Sequence, residues 1–167
     1  ARFQMEAKSV AKLEHKNMVK IYDLGIAEGK FPYYVMDLLE GESLAELLKR
    51  QATLPLAEAL EIFCQIADGL NFAHERGFVH RDIKPENLMI DDQLNIKLID
   101  FATAIEKDQV KNEIEMVGTY KYISPEGVFK PWNVDESSDY FSMGKVFEEL
   151  LSNEHIMRNC QIESMIK

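Results

Sequence analysis

Residues 80–87 read His-Arg-Asp-Ile-Lys-Pro-Glu-Asn, and thirteen residues after Asn87 comes Asp100-Phe101-Ala102, directly behind an apolar segment. Asp82, Asn87 and Asp100 offer two carboxylates and one amide oxygen. Such hard oxygen donors suit a magnesium ion, which takes one or two carboxylates together with phosphate oxygens. Lys84, next but one to Asp82, adds a positive charge able to neutralise a phosphoryl group in transfer. These residue types at this spacing point to metal-assisted phosphoryl chemistry.

The chemistry needs two loops held side by side. Residues 88–90 and 96–99 read as short strands around an Asp91-Asp92-Gln93-Leu94-Asn95 turn, which puts Asn87 before one strand and Asp100 after the other. Residues 55–76 form the strongest helical pattern, with Pro55 in its first turn, Gly77 as its stop and a stripe of Leu56, Leu60, Phe63, Ala67, Leu70 and His74. Cys64 lies beside that stripe and is expected to be buried. Residues 136–151 read as a second strong helix with Tyr140, Met143, Val146, Phe147 and Leu150 on one side. Upstream, residues 2–14 have helical spacing, and 19–24 and 33–39 read as strands around a Gly25…Gly29-Lys30 turn. Gly41-Glu42-Ser43 looks like a cap before a short helix at 44–50. Residues 102–123 show no period, which is long for a structureless connection and suggests function.

Composition sets the outer bounds. The chain has 167 residues and is 46% hydrophobic, enough for one domain with a real core. Its net charge is −10, and the excess acid lies in residues 51–167. That balance argues against general nucleic-acid or anionic-membrane binding, which needs a basic face. Cys64 and Cys160 form no CxxC pair, so neither a disulfide framework nor a zinc knuckle is expected, and a reducing, cytoplasmic setting fits. No apolar run reaches the roughly 18 residues of a membrane span, so no membrane contact is expected from this segment.

The run His80–Asn87 resembles the catalytic loop of eukaryotic-type (Hanks-type) serine/threonine protein kinases, most like bacterial members, and Asp100-Phe101-Ala102 resembles their DFG triplet. Further motifs follow in order. Gly118-Thr119…Tyr122-Ile123-Ser124-Pro125-Glu126 is similar to the end of an activation segment. Asp139-Tyr140-Phe141-Ser142-Met143-Gly144 is similar to the start of the kinase F helix. Glu6 and then His15-Lys16-Asn17-Met18-Val19 resemble the C helix and the entry to strand 4. The resemblance implies an α+β, kinase-like fold: a partial small lobe with the C helix and two or more strands (residues 1–37), and a mostly helical large lobe (38–167). It implies ATP and Mg2+ as cofactors and a protein with a Ser or Thr acceptor as partner. Asp82 would orient the acceptor hydroxyl and take its proton, and Lys84 would meet the γ-phosphate. Asn87 and Asp100 would hold magnesium. Met36 would be the gatekeeper, Asp37 to Leu39 the hinge that meets adenine, and Met89 the adenine floor. His80, Phe101, Val10 and Ile21 would stack as a spine that Asp139 anchors from below. Thr119 would help Asp82 and Lys84 select the acceptor.

The sequence also departs from the family pattern. These residues contain no glycine-rich loop and no strand lysine for Glu6 to pair with, and no arginine recognisable as the usual partner of Glu126. The chain starts at Ala1 rather than Met, and both ends read as cut from a longer domain. The isolated 167-residue chain is therefore expected to have little or no kinase activity, and Glu126 is expected to be unpaired. Ala102 stands where the triplet has glycine, which is expected to restrict Phe101 because alanine tolerates fewer backbone angles. Residues 105–117 hold no Ser, Thr or Tyr. Glu113 and Glu115 sit where a phosphosite would fall, and a carboxylate there is expected to stand in for phosphate opposite Arg81. Two rival readings are a pseudokinase-like interaction module and a small-molecule phosphotransferase. The three intact oxygen donors disfavour the first, and the 118–126 segment with the Asp139 helix disfavours the second.

Overall fold

The computed structural model describes residues 13–51, 53–112 and 116–151. Its first element pair is an antiparallel hairpin of β1 (Ile21–Ala27) and β2 (Phe31–Met36). The turn is tighter than the glycine pattern implied. Glu28 and Gly29 both take left-handed angles, and Lys30 N–H closes on the Ala27 carbonyl at 3.0 Å. Gly25 therefore lies inside β1, opposite Tyr33, and both strands lie nearer the turn than expected. Beyond Met36 the chain leaves the sheet, with Asp37 N–H bonded to the Lys20 carbonyl.

A two-residue strand, β3 (Glu42–Ser43), leads into α1 (Leu44–Arg50). Ser43 is the N-cap, as its position suggested. Its hydroxyl accepts from Glu46 N–H, and the Glu46 carboxylate accepts from Ser43 N–H, a reciprocal capping box. Bonds donated to the Glu46 carboxylate by Ser43 N–H and by the Ser43 hydroxyl, each at 2.8 Å, hold that carboxyl below its ordinary range. Behind α1 lies β5 (Leu88–Ile90), which joins β3 and β6 (Ile96–Leu98) in a three-stranded antiparallel sheet. The turn between β5 and β6 is closed by Asp91, whose carboxylate accepts from Gln93 and Asn95 N–H at 2.9 Å each. Residues 17–19 lie along β6, with Val19 N–H on the Leu98 carbonyl at 2.9 Å and Leu98 N–H on the Asn17 carbonyl at 2.8 Å.

The long helix α2 (Leu56–Glu75) is present but turned relative to the expected stripe. Its buried line is Ala59, Ile62, Ile66, Gly69, Leu70, Ala73 and His74. Leu56 is 58% exposed, Leu60 is 44% exposed, and Cys64 is exposed rather than buried. Small residues set this orientation. A β-carbon at Gly69 would lie 2.9 Å from Leu98 Cδ1 and 3.2 Å from the Asn17 carbonyl. The helix therefore buries the side where small residues allow close approach to β6 and where Ile62, Ile66 and Leu70 fill the core. Pro55 is the N-cap rather than a first-turn residue.

After α2 come β4 (Phe78–Val79), the catalytic-loop segment and, past β6, β7 (Ile105–Glu106), which pairs antiparallel with β4. A single 3-10 stretch at Lys107–Asn112 follows. Val79, Ile105, Val110 and Val134 form a small second core beneath it. The aperiodic stretch after residue 102 thus carries local structure too short to register as a period. The chain then forms α3 (Pro125–Phe129) and α4 (Glu136–Leu151), the latter with the expected bounds. The buried side of α4 mixes Met143, Val146 and Leu150 with Ser138, Asp139 and Ser142. Tyr140 is 41% exposed and is not part of that side. Helix α4 packs on α2, and the main core lies between them and the three-stranded sheet. Among the described residues no helix is long and apolar enough to cross a membrane.

Candidate active site

Asp139 is fully buried and holds the segment after β4 by its backbone. Its Oδ2 accepts from His80 N–H and its Oδ1 from Arg81 N–H, each at 2.8 Å. His74 Nε2 on α2 lies 2.8 Å from Asp139 Oδ2. One carboxylate thereby ties α4 and α2 to the loop, which is why a buried acid is tolerated here. The His80 ring is buried and packs at a tilt against Phe101, with centroids 4.8 Å apart. Burial pushes the His80 imidazole below its ordinary pKa against the pull of Asp139 and Asp82, so it is neutral at pH 7.

The loop brings Asp82, Lys84 and Asn87 together and adds Thr119 from the segment before α3. Lys84 Nζ donates to Asp82 Oδ2 at 2.6 Å and to Thr119 Oγ1 at 2.8 Å. The Thr119 hydroxyl donates to Asp82 Oδ1 at 2.7 Å. Asn87 Nδ2 donates to the Asp82 carbonyl at 2.9 Å and to Oδ2 at 3.1 Å, which turns the amide oxygen away from Asp82. Burial pushes the Asp82 carboxyl up, but the bonds from Lys84, Thr119 and Asn87 outweigh it. The group ends below its ordinary range and stays ionised at neutral pH. A carboxylate and an ammonium thus share a threonine hydroxyl between them.

Asp100 comes from the far end of β6. Ile99 N–H bonds the Asn87 carbonyl at 2.9 Å, which sets the two loops side by side. Asp100 is exposed, and its Oδ1 accepts from Ala102 N–H at 3.2 Å. Tyr34 on β2 faces this region. Burial first and the Asp100 charge second raise its phenol above the ordinary value. The left-handed angles fall on Arg81 (φ 69°) and Asp100 (φ 61°), not on Ala102. Ala102 itself takes no left-handed angle in this arrangement. The strain sits at Arg81 and Asp100, each of order 1–3 kcal/mol.

Gly118 does use its freedom. Its φ is 115°, and an added β-carbon would lie 2.5 Å from the Arg81 carbonyl oxygen and 3.9 Å from Asp82 Oδ1. Gly118→Ala is expected to destabilise the protein by about 1–3 kcal/mol through strain and the push on Arg81. An unchanged urea midpoint would contradict this contact.

The other positions divide as follows. Met36 is 51% exposed at the end of β2. Asp37, Leu39 and Met89 line one cleft with Glu40 and Gly41, so the hinge segment and the proposed adenine floor do face a common space. Ile21 is half-buried against the main core. Glu6, Val10, Glu113, Glu115 and Cys160 lie outside the described residues. Glu126, expected to be unpaired, accepts a 2.7 Å bond from the Ser138 hydroxyl. Burial pushes its carboxyl up, but hydrogen bonds led by the one from Ser138 bring it below the ordinary range. Ser142 donates to the Tyr122 carbonyl at 2.7 Å. Two buried serines one helical turn apart therefore seat residues 122–126 on α4. Glu149, which reads as part of a solvated helix face, instead pairs with Lys121 at 2.7 Å and accepts from Tyr122 at 3.2 Å.

Sequence reasoning missed several supporting residues. Gln65 on α2 accepts from Asn17 Nδ2 at 3.0 Å and from Ile96 N–H at 2.9 Å, and donates to the Leu94 carbonyl at 2.8 Å. It links residue 17 to β6 from the middle of the long helix. A glutamine flanked by apolar side chains was the only signal. Ser138 gave a weak one, as a small polar residue beside Asp139 on an otherwise apolar face.

A protein kinase domain model matches residues 1–167 of the chain. The chain is 39% identical over 153 residues to the serine/threonine-protein kinase PknL of Mycobacterium tuberculosis, across 90% of this chain and 38% of that protein. It is 36% identical over 159 residues to the serine/threonine-protein kinase PknB of Mycobacterium leprae, across 92% of this chain and 25% of that protein. The PknB of Mycolicibacterium smegmatis is similar at 36% over 160 residues. The chain thus spans well under half the length of these relatives.

Proposed function

This chain belongs to the protein kinase domain family, and from that premise we propose that its site transfers the γ-phosphoryl group of ATP to a serine or threonine hydroxyl of a protein. The observation that carries this reading is the Asp82–Lys84–Thr119 triangle, in which a hydroxyl is held between a carboxylate and an ammonium. An acceptor hydroxyl presented to the same carboxylate finds a base that is ionised at neutral pH. Its proton passes to Asp82 as the hydroxyl oxygen bonds to the γ-phosphorus. The bond from that phosphorus to the bridging oxygen breaks, and ADP leaves with the electron pair. Lys84 neutralises charge on the transferring group and keeps Asp82 pointed at the acceptor.

The donor set fits magnesium. An exposed Asp100 carboxylate and an Asn87 amide oxygen turned away from Asp82 are hard oxygen ligands, few enough to leave room for phosphates. Bound there, Mg2+ would neutralise the β- and γ-phosphate oxygens. The backbone of residues 37–39 and the Met89 side chain receive adenine, with Met36 behind it. The serine contacts of α4 to residues 122–126 support a peptide-binding surface and so favour a protein acceptor over a small molecule. With ATP as the phosphoryl donor, the cytoplasm is the location this reading proposes for the site. The 167 residues hold no glycine-rich loop or strand lysine for the α- and β-phosphates. The proposal therefore concerns the full-length protein, and the isolated 167-residue polypeptide is expected to be inactive.

The test is to incubate the full-length protein with Mg2+, γ-labelled ATP and peptides whose only acceptor is Ser, Thr or Tyr. Label on Ser and Thr peptides is expected. Label confined to Tyr peptides, or none on any peptide, would overturn the reading.

A further inference from the structure

Of the four non-glycine residues with left-handed angles among the described residues, Arg81 and Asp100 stand on the two loops of the site, and such angles persist only where the surroundings over-determine them. Arg81 is held from below by Asp139 Oδ1. Asp100 is exposed, and the bond its carboxylate accepts from Ala102 lies within its own turn. The Ile99–Asn87 backbone bond fixes the strand end just before that turn. Phe101 holds the turn on one side by packing its ring at a tilt against His80. On the other side stands Thr103, which no motif singles out. Its hydroxyl donates to the His80 carbonyl at 2.9 Å, and Arg81 Nε donates to the Thr103 carbonyl at 2.7 Å. These reciprocal bonds join residues 80–81 to residue 103 and straddle both strained positions.

We propose that the Thr103 hydroxyl is a positioning group for phosphoryl transfer: by clasping the His80 carbonyl it holds the Asp100 turn in register with Asn87. The inference rests on the phosphotransfer reading and deepens it. It places the control of a metal-binding carboxylate in an uncharged contact three residues away. It adds a side-chain contact to the Ile99–Asn87 backbone bond that already sets the two loops side by side.

The test uses the full-length protein with Thr103→Val, which keeps the shape and removes the donor, and Thr103→Ser, which keeps the donor. The first readout is amide hydrogen exchange of residues 100–104 without nucleotide. Exchange about tenfold faster in Thr103→Val and within about twofold of wild type in Thr103→Ser is expected, since a tenfold opening corresponds to about 1.4 kcal/mol, the size of one hydrogen bond. Equal exchange in all three proteins overturns the proposal. The second readout is the Mg2+ concentration for half-maximal transfer, expected to rise about fivefold in Thr103→Val and to return in Thr103→Ser. An unchanged Mg2+ dependence overturns the link to the metal. Should Thr103→Val not fold, Thr103→Ala against Thr103→Ser reads the same hydroxyl, and identical behaviour of those two overturns the clasp. A wild-type protein with no transfer at all would sink the phosphotransfer reading, while the exchange comparison would still decide whether Thr103 holds the turn.

Discussion

Asp82→Asn in the full-length protein is expected to lower kcat about 10³-fold while leaving ATP affinity within about threefold. The loss corresponds to about 4 kcal/mol of transition-state stabilisation. The substitution keeps the size of the side chain and an oxygen that can still accept from Thr119 or Lys84, so the loop retains its shape. What it removes is the proton acceptor and the negative charge that orients Lys84. The cleft lined by Asp37, Leu39 and Met89, proposed above to receive adenine, lies apart from the change, which is why binding should survive. Single-turnover rates and calorimetric titration with ATP separate the two effects. A kcat within tenfold of wild type would show that Asp82 is not the group that takes the proton.

Asp139→Ala is expected to cost about 3–5 kcal/mol of folding stability, a large part of the roughly 5–15 kcal/mol available to a domain. The carboxylate is fully buried and serves three donors on two elements. Its removal leaves the backbone N–H groups of His80 and Arg81 and the ring of His74 without their acceptor, each at about 1–3 kcal/mol. The strained Arg81 also loses its tether. Asp139→Asn keeps one acceptor oxygen and should fall between the variant and wild type. Urea unfolding measures both. A loss below about 1 kcal/mol for Asp139→Ala would mean that the loop is held elsewhere.

The parts of this protein that were legible in its sequence are those where function or local geometry dictates residue type. Asp82, Lys84 and Asn87 must face one reacting group from one short loop, so their spacing is the signal, and Asp100 follows the next strand for the same reason. Gly41-Glu42-Ser43 announced its helix as a cap, and the structure closes that cap within one turn through Glu46. The bounds of α4 were readable from its long amphipathic run. The misreadings are tertiary. Helix α2 buries Ile62, Ile66 and Leu70 together with Ala59, Gly69 and Ala73, rather than Leu56 and Leu60, because only that side combines apolar side chains with close approach to β6. Glu126 finds Ser138 twelve residues away, and Glu149 finds Lys121 and Tyr122, pairings that no local pattern encodes. The left-handed angles at Arg81 and Asp100 carried no signal in residue type, since neither is glycine. Thr103 was invisible because its partner is a backbone carbonyl, which every residue has.

The most direct test of the central claim is a crystal structure of the full-length protein with Mg2+ and a non-hydrolysable ATP analogue. The metal is expected on Asn87 Oδ1 and the Asp100 carboxylate, with the γ-phosphate within hydrogen-bond reach of Lys84 Nζ and adenine between residues 37–39 and Met89. A metal or triphosphate bound away from these residues would contradict the assignment of this site as the phosphoryl-transfer centre.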